Sequence, residues 1–275
     1  MILRHAKNAN GALSCDDTFE AIDERTGKTL GSCTILVSEN EKMFPNRPYR
    51  VLIEINGDPV PDAVLGAAVA RAKELARQLG KPARVFTVVD PENTELFNVV
   101  TALGLKDNDG IVVLRRDMTD EGESDPVSFP AGCVLVRDRL EDEEEQNYYL
   151  QRYSHLYGEN FDNDHLQEYI AQKGFTRTIL VARGGMAGEI TAWIDGDVGR
   201  IGRFYVPSKW RRHGICSNMI EQVCADFRAK GIMQVECEIH ARVPGVLHTL
   251  EKHGFKQVRL VTHYPGADIE PTGVK

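Results

Sequence analysis

The sequence predicts an α/β protein built as two units, each a central mixed β-sheet flanked by helices. Three observations predict it. Strand-like runs rich in β-branched residues alternate with segments whose apolar residues recur every three to four positions. A polar, acidic stretch with two prolines, Thr119–Pro130, divides the chain near its middle. The halves also share a pattern: ELFNVVTALGLK at 95–106 aligns with GVLHTLEKHGFK at 245–256, pairing Gly104 with Gly254 and Lys106 with Lys256, and Gly80 and Gly231 end equivalent helices. The units are therefore placed at residues 1–120 and 131–275, with 121–130 as linker.

In the first unit Ile2–His5, Thr18–Ile22, Thr29–Val37 and Tyr49–Ile55 read as strands. Pro61–Leu79 reads as a helix, because Val64, Ala68, Ala72, Leu75 and Leu79 line one face and Gly80 with Pro82 stops it. A strand (Arg84–Val89), a helix (Thr94–Leu103) and a strand (Ile111–Arg116) follow. The second unit opens with the strand Cys133–Arg137 and a helix that begins in the acidic run Glu141–Glu145. Negative charge in a first helical turn complements the helix dipole, so that run needs no metal to explain it. A second helix covers Asp164–Gln172, with Asn163 as its N-cap. The strands Thr176–Ala182 and Glu189–Trp193 lead through Asp195-Gly196-Asp197 into a central strand, Val198–Val206. Next come a helix with Ile215, Met219, Ile220, Val223 and Phe227 on one face, the strand Gln234–Ile239, the helix Val246–Lys252 and the strand Gln257–Thr262.

Composition narrows the function. A chain of 275 residues with 42% hydrophobic and 27% charged residues is of ordinary globular type. Its net charge of −8 argues against nucleic acid or a membrane surface as partner. No apolar run approaches the ~20 residues of a membrane span, and the N-terminus lacks a signal peptide's apolar core. The six cysteines are scattered, without zinc-ligand spacing or a disulfide framework. A cytoplasmic protein with reduced thiols is expected.

The chemistry concentrates at 206–220, VPSKWRRHGICSNMI. A strand turning sharply into a helix leaves the first backbone N–H groups of that helix unpaired, and the helix dipole adds positive charge there. Lys209, Arg211 and Arg212 add full charges, and Gly214 permits close approach to the backbone. In an acidic chain this turn marks an anion site, most naturally for phosphate.

This stretch resembles the acetyl-CoA signature of the GNAT N-acetyltransferase superfamily, a strand-ending Val followed by Q/R-x-x-G-x-G/A. Arg211, Gly214 and Cys216 stand at the signature positions, with Cys216 where Gly or Ala is usual. The β-α-α-β-β-β-α-β-α-β order of the second unit extends the likeness to about 145 residues, and HTLEKHGF at 248–255 resembles the family's LYEKLGF. The first half is then a degenerate copy. Its corresponding turn, Asp58-Pro59-Val60-Pro61-Asp62, carries carboxylates and prolines where N–H donors are wanted, so no cofactor is expected there.

The resemblance implies attack of a neutral amine on acetyl-CoA, with no metal. It assigns the cofactor to Tyr205, Val206, Arg211, Arg212, His213, Gly214, Ile215, Cys216 and Ser217, with Val206 and its neighbours polarising the thioester carbonyl. The family's thiolate-protonating tyrosine falls at Leu250, and the central strand holds no carboxylate. Candidate catalytic residues are Glu238 and Tyr205, with His240 and His248 as further possibilities. The acceptor falls to the loop carrying Tyr157, Glu159, Phe161, Asp162 and Asp164, which suits a small amine or an N-terminal amino group. A monomer or homodimer is expected. The rival reading is a non-catalytic acyl-CoA-binding or regulatory module.

Overall fold

The structure, a computed structural model, describes residues 1–6, 15–57, 59–119, 127–157 and 162–272. In chain order its elements are β1 (Ile2–His5), β2 (Thr18–Ile22), β3 (Thr29–Glu39), β4 (Tyr49–Asn56), α1 (Asp62–Gln78), β5 (Ala83–Thr87), α2 (Thr94–Ala102), β6 (Gly110–Asp117) and β7 (Cys133–Asp138). They continue with α3 (Glu143–Tyr157), α4 (Asn163–Ile170), β8 (Thr176–Ala182), β9 (Gly185–Asp195), β10 (Val198–Tyr205), α5 (Ile215–Arg228), β11 (Gln234–His240), α6 (Pro244–Lys252), β12 (Lys256–His263) and β13 (Gly266–Ile269). The predicted α/β class with two mixed sheets is what the chain adopts.

One sheet runs β1-β2-β3-β4-β5-β13 and the other β12-β6-β11-β10-β9-β8-β7. The compact units are principally residues 1–111 with the segment from Leu260 onward, and residues 112–259. This differs from the division expected at 121–130. The strand β6 hydrogen-bonds into the second sheet, and the unforeseen β13 returns to the first. Backbone pairing, not sequence proximity, decides which sheet a strand joins.

In the first unit α1 lays Val64, Leu65, Ala68, Val69, Ala72 and Ala76 against a core containing Ile35, Val51, Ile53 and Val85. The small side chains of that helix face let it lie close to the sheet. Arg84 on β5 is fully buried. It donates to Asp268 of β13 at 3.0 Å, to Asn108 at 2.8 Å and to the Tyr264 carbonyl at 3.0 Å, and lies 3.1 Å from buried Asp109. Arg50 approaches Asp109 at 3.6 Å, its guanidinium 4.3 Å from the Phe44 ring and 4.3 Å from the Phe86 ring. These bonds pin β13 and the 106–109 segment to β5.

In the second unit α5 buries Ile215, Met219, Ile220, Val223, Cys224 and Phe227, the predicted face with one addition. The helices α3 and α4 serve the opposite face of the sheet, where Tyr149 and Tyr153 are buried with ring centroids 4.3 Å apart. The N-cap of α4 is Asp162, whose side chain accepts from the His165 N–H, and not Asn163 as expected. The repeat is structural as well: Gly80, Gly104, Gly231 and Gly254 all have φ between +73° and +84°. Bonds from Leu105, Ile232 and Phe255 N–H to carbonyls five residues earlier close three of the helix ends alike.

Removing Arg84 leaves Asp109 buried beside only one, more distant, arginine. Arg84→Ala is expected to destabilise the first unit by about 3–5 kcal/mol, measured by chemical denaturation. A loss under 1 kcal/mol would show that the pairing is dispensable.

Candidate active site

The strands β10 and β11 pair in parallel only from Val198↔Gln234 to Ile201↔Cys237. Yet β10 runs on to Tyr205 and β11 to His240. Beyond Ile201 the two part, and an opening lies between 202–206 and 238–240. On its other edge β10 slips register against β9 between Ile201 and Phe204. Thr191 Oγ1 sits at that bulge, accepting the Arg203 N–H at 3.0 Å and lying 3.3 Å from the Arg203 carbonyl. Backbone groups of parted strands lose their ladder partners and become available to a ligand. In the first unit the corresponding β4 and β5 stay paired through Ile53↔Thr87, and the Thr87 hydroxyl donates to the Ile53 carbonyl at 2.8 Å.

From β10 the chain passes through a 3-10 turn, Ser208–Trp210, into Arg211–Gly214 and α5. Arg212 (φ 66°) and Gly214 (φ 73°) are both left-handed. Such placements turn successive N–H groups into a concave anion-binding surface, and an arginine held there is strained. No side chain caps α5, so the N–H groups of Ile215, Cys216 and Ser217 lack intrahelical acceptors. The Arg211, Arg212 and His213 side chains are exposed, with Arg211 Nε donating to the Val206 carbonyl at 3.1 Å. Ile215 has its side chain in the core and offers only its backbone. Burial pushes the half-buried Cys216 thiol up to about 11, so it sits in the turn as a small neutral group. Trp210 Nε1 is shielded from water and meets no acceptor among the described residues. An open strand pair, free N–H groups and exposed cations fit a pantetheine arm ending in phosphates. The counterpart in the first unit differs. Val60 is buried, Pro61 stands at the N-cap, and Asp62 occupies the first turn of α1.

Cross-strand partners share a face. Tyr205 lies opposite Glu189, whose carboxylate meets Arg152 of α3. Arg200 lies opposite Trp193, which packs on Tyr169 of α4, and Arg200 meets Glu236. Glu238 and His240, two and four residues on, share the face of Glu236. Tyr205 and Glu238 thus flank the opening from its two sides, on the α3–α4 face. Glu238 is exposed and Tyr205 half-buried. His240 Nδ1 accepts the Arg242 N–H at 3.3 Å. His248 is exposed on α6, and Leu250 is fully buried, so the position of the family tyrosine faces the core. Glu159 and Phe161 lie outside the described residues, as does the side chain of Tyr157. Asp162 is engaged as a cap, and Asp164 sits exposed in the first turn of α4.

The sequence reading passed over Glu189, which is buried on β9. Burial raises its pKa, against the lowering effects of Arg152 and Arg177. The signal was present: a lone carboxylate between Gly188 and Ile190 in an otherwise apolar strand. The acidic run resolves structurally, since Glu145 and Asp138 bind buried Arg177 at 2.9 and 2.5 Å. Among the described residues no group of three His, Cys, Asp or Glu could hold a metal, and no helix is long and apolar enough to cross a membrane. A cavity of about 300 Å³ lined by Thr176, Thr178, Ala192, Val223 and Phe227 lies toward the C-terminal end of α5, away from the opening.

Residues 135–255 match the model of the acetyltransferase (GNAT) family, and this part of the chain belongs to it. Among solved structures, a GCN5-related N-acetyltransferase from Sphaerobacter thermophilus is similar over 95% of this chain and 84% of its own, at 13% identity and TM-score 0.49. A tandem GNAT protein from the clavulanic acid biosynthesis pathway is similar over 93% and 83%, at 17% identity and TM-score 0.44. An aminoglycoside acetyltransferase from an uncultured soil metagenomic sample is similar over 45% and 87%, at 19% identity and TM-score 0.37. No curated protein matches the sequence.

Two outcomes follow from this geometry. The sequence alone suggested that α5 would tolerate a Cβ at Gly214. The space is open, but the left-handed φ is not neutral. Gly214→Ala is expected to cost about 1–2 kcal/mol of stability as well as cofactor affinity, measured by urea unfolding and calorimetry. Glu189, its pKa raised by folding, contributes stability that is full below its unfolded pKa and is lost as pH rises through the folded value. Glu189→Gln should therefore flatten the pH dependence of stability on that rise. An unchanged wild-type slope would show that Glu189 does not titrate there.

Proposed function

We propose that the chain is an acetyl-CoA-dependent N-acetyltransferase acting on a small amine or an N-terminal amino group, with one cofactor held by the second unit. The observation that carries the reading is the parting of β10 from β11 directly beside the uncapped, basic start of α5. Acetyl-CoA supplies the activated acetyl group as a thioester. Arg211, Arg212 and the N–H groups of Gly214–Ser217 hold its phosphates, and the free backbone of Tyr205 and Val206 faces the thioester carbonyl. Exposed Glu238, on the α3–α4 face, takes the ammonium proton of the acceptor directly or through water. Tyr205, across the opening, orients the acceptor or returns a proton to the leaving thiolate. The closed β4–β5 pair and the buried Val60 support a single site per chain.

One observation favours a second reading, an acyl-CoA-binding module without turnover: Leu250 is in the core, and β10 carries no carboxylate. The same experiment separates the two. Thiol release with a panel of small amines, polyamines and peptide N-termini should give acetylated product, with a rate that rises with pH as the amine deprotonates. Binding of acetyl-CoA without product from any amine would establish the module. Calorimetry should find one site per chain. Arg211→Ala with Arg212→Ala should weaken binding by about 1–3 kcal/mol. An unchanged dissociation constant would place the phosphates elsewhere.

A further inference from the structure

Trp210 ends the 3-10 turn that leads into the cradle, and its indole is half-buried. Its Nε1–H, shielded and without an acceptor among the described residues, is a standing cost to the fold. The ring is therefore poorly explained by the turn's own stability. Three residues on, the exposed imidazole of His213 stands at 87° to the indole, with centroids 6.1 Å apart. Two aromatic rings at a right angle make a corner. This corner borders a cradle whose backbone N–H groups are free and whose Lys209, Arg211 and Arg212 are exposed.

The ligand chemistry that matches is a flat heterocycle joined to phosphate. One ring face provides a stacking surface, the indole N–H can meet a ring nitrogen, and the cations and backbone take the phosphates. We infer that Trp210 and His213 receive the adenine of coenzyme A, so the chain reads the nucleotide end of its donor as well as the pyrophosphate. The inference rests on the cradle being the coenzyme A site. It places specificity in a turn that the family signature describes only by its arginine and glycines.

The test compares two ligands on the full chain by calorimetry: 3′-dephospho-coenzyme A, which carries the adenosine, and 4′-phosphopantetheine, which lacks it. Trp210→Leu should weaken the first by about five- to a hundredfold and the second by less than about twofold; Trp210→Phe, which keeps a ring, should restore most of the difference. Equal losses for both ligands would mean that Trp210 only shapes the turn, and would overturn the inference. Binding of neither ligand to the unaltered chain would instead sink the cofactor reading itself. A second measurement does not depend on the stability of a Trp210 variant. The chain has two tryptophans, and Trp193 packs on Tyr169 away from the cradle. In Trp193→Phe the emission of Trp210 should therefore change on adding dephospho-coenzyme A and stay unchanged with phosphopantetheine. The same response to both would count against an adenine contact.

Discussion

Everything functional in the second unit depends on the separation of two parallel strands. Val198–Ile201 of β10 and Gln234–Cys237 of β11 share a ladder, and the four residues that follow on β10 do not. A continuous ladder would occupy their N–H and C=O groups and leave nothing for a thioester. The bulge against β9, held on both sides of Arg203 by the Thr191 hydroxyl, redirects β10 where the parting begins. The end of β10 leads within ten residues into the uncapped start of α5. One stretch of chain thus offers backbone both to an acyl carbonyl and to phosphates, a spacing set by covalent geometry.

The first unit shows what the same scaffold does when the separation is closed. Its helices end on left-handed glycines in the same places, so the architecture is shared. But Thr87 bonds across to Ile53, Val60 fills space in the core, and prolines replace amide donors at the start of α1. Each change is local and inexpensive to the fold, because none touches the packing of α1 on its sheet.

Charge is distributed unequally over the two faces of the second sheet. The α5 face is apolar, with Met219, Val223 and Phe227 against the strands. The α3–α4 face buries Glu189 with Arg152, Glu236 with Arg115 and Arg200, and Arg177 with Asp138 and Glu145. Buried ion pairs seldom stabilise a fold better than apolar residues of similar volume would. Their concentration on the face that also carries Tyr205 and Glu238 marks it as the side where polar chemistry takes place.

Local features were legible from the sequence by itself. The apolar stripe of α5, the helix-ending glycines of the repeat, the basic turn and the α/β class follow from periodicity and from residue types with few conformational choices. The Arg211–Gly214 turn was readable because glycine and clustered arginines are informative without neighbours. Only the tertiary structure decided which sheet takes β6 and β13, since strand pairing joins residues more than a hundred positions apart. It also decided that Gly214 must be left-handed, that Leu250 faces the core where a tyrosine would be crowded, and that Glu189 is buried beside Arg152. Orientation and burial belong to the packed chain: a carboxylate in a strand reads the same whether it faces water or an arginine, and only the partner across the fold distinguishes the two.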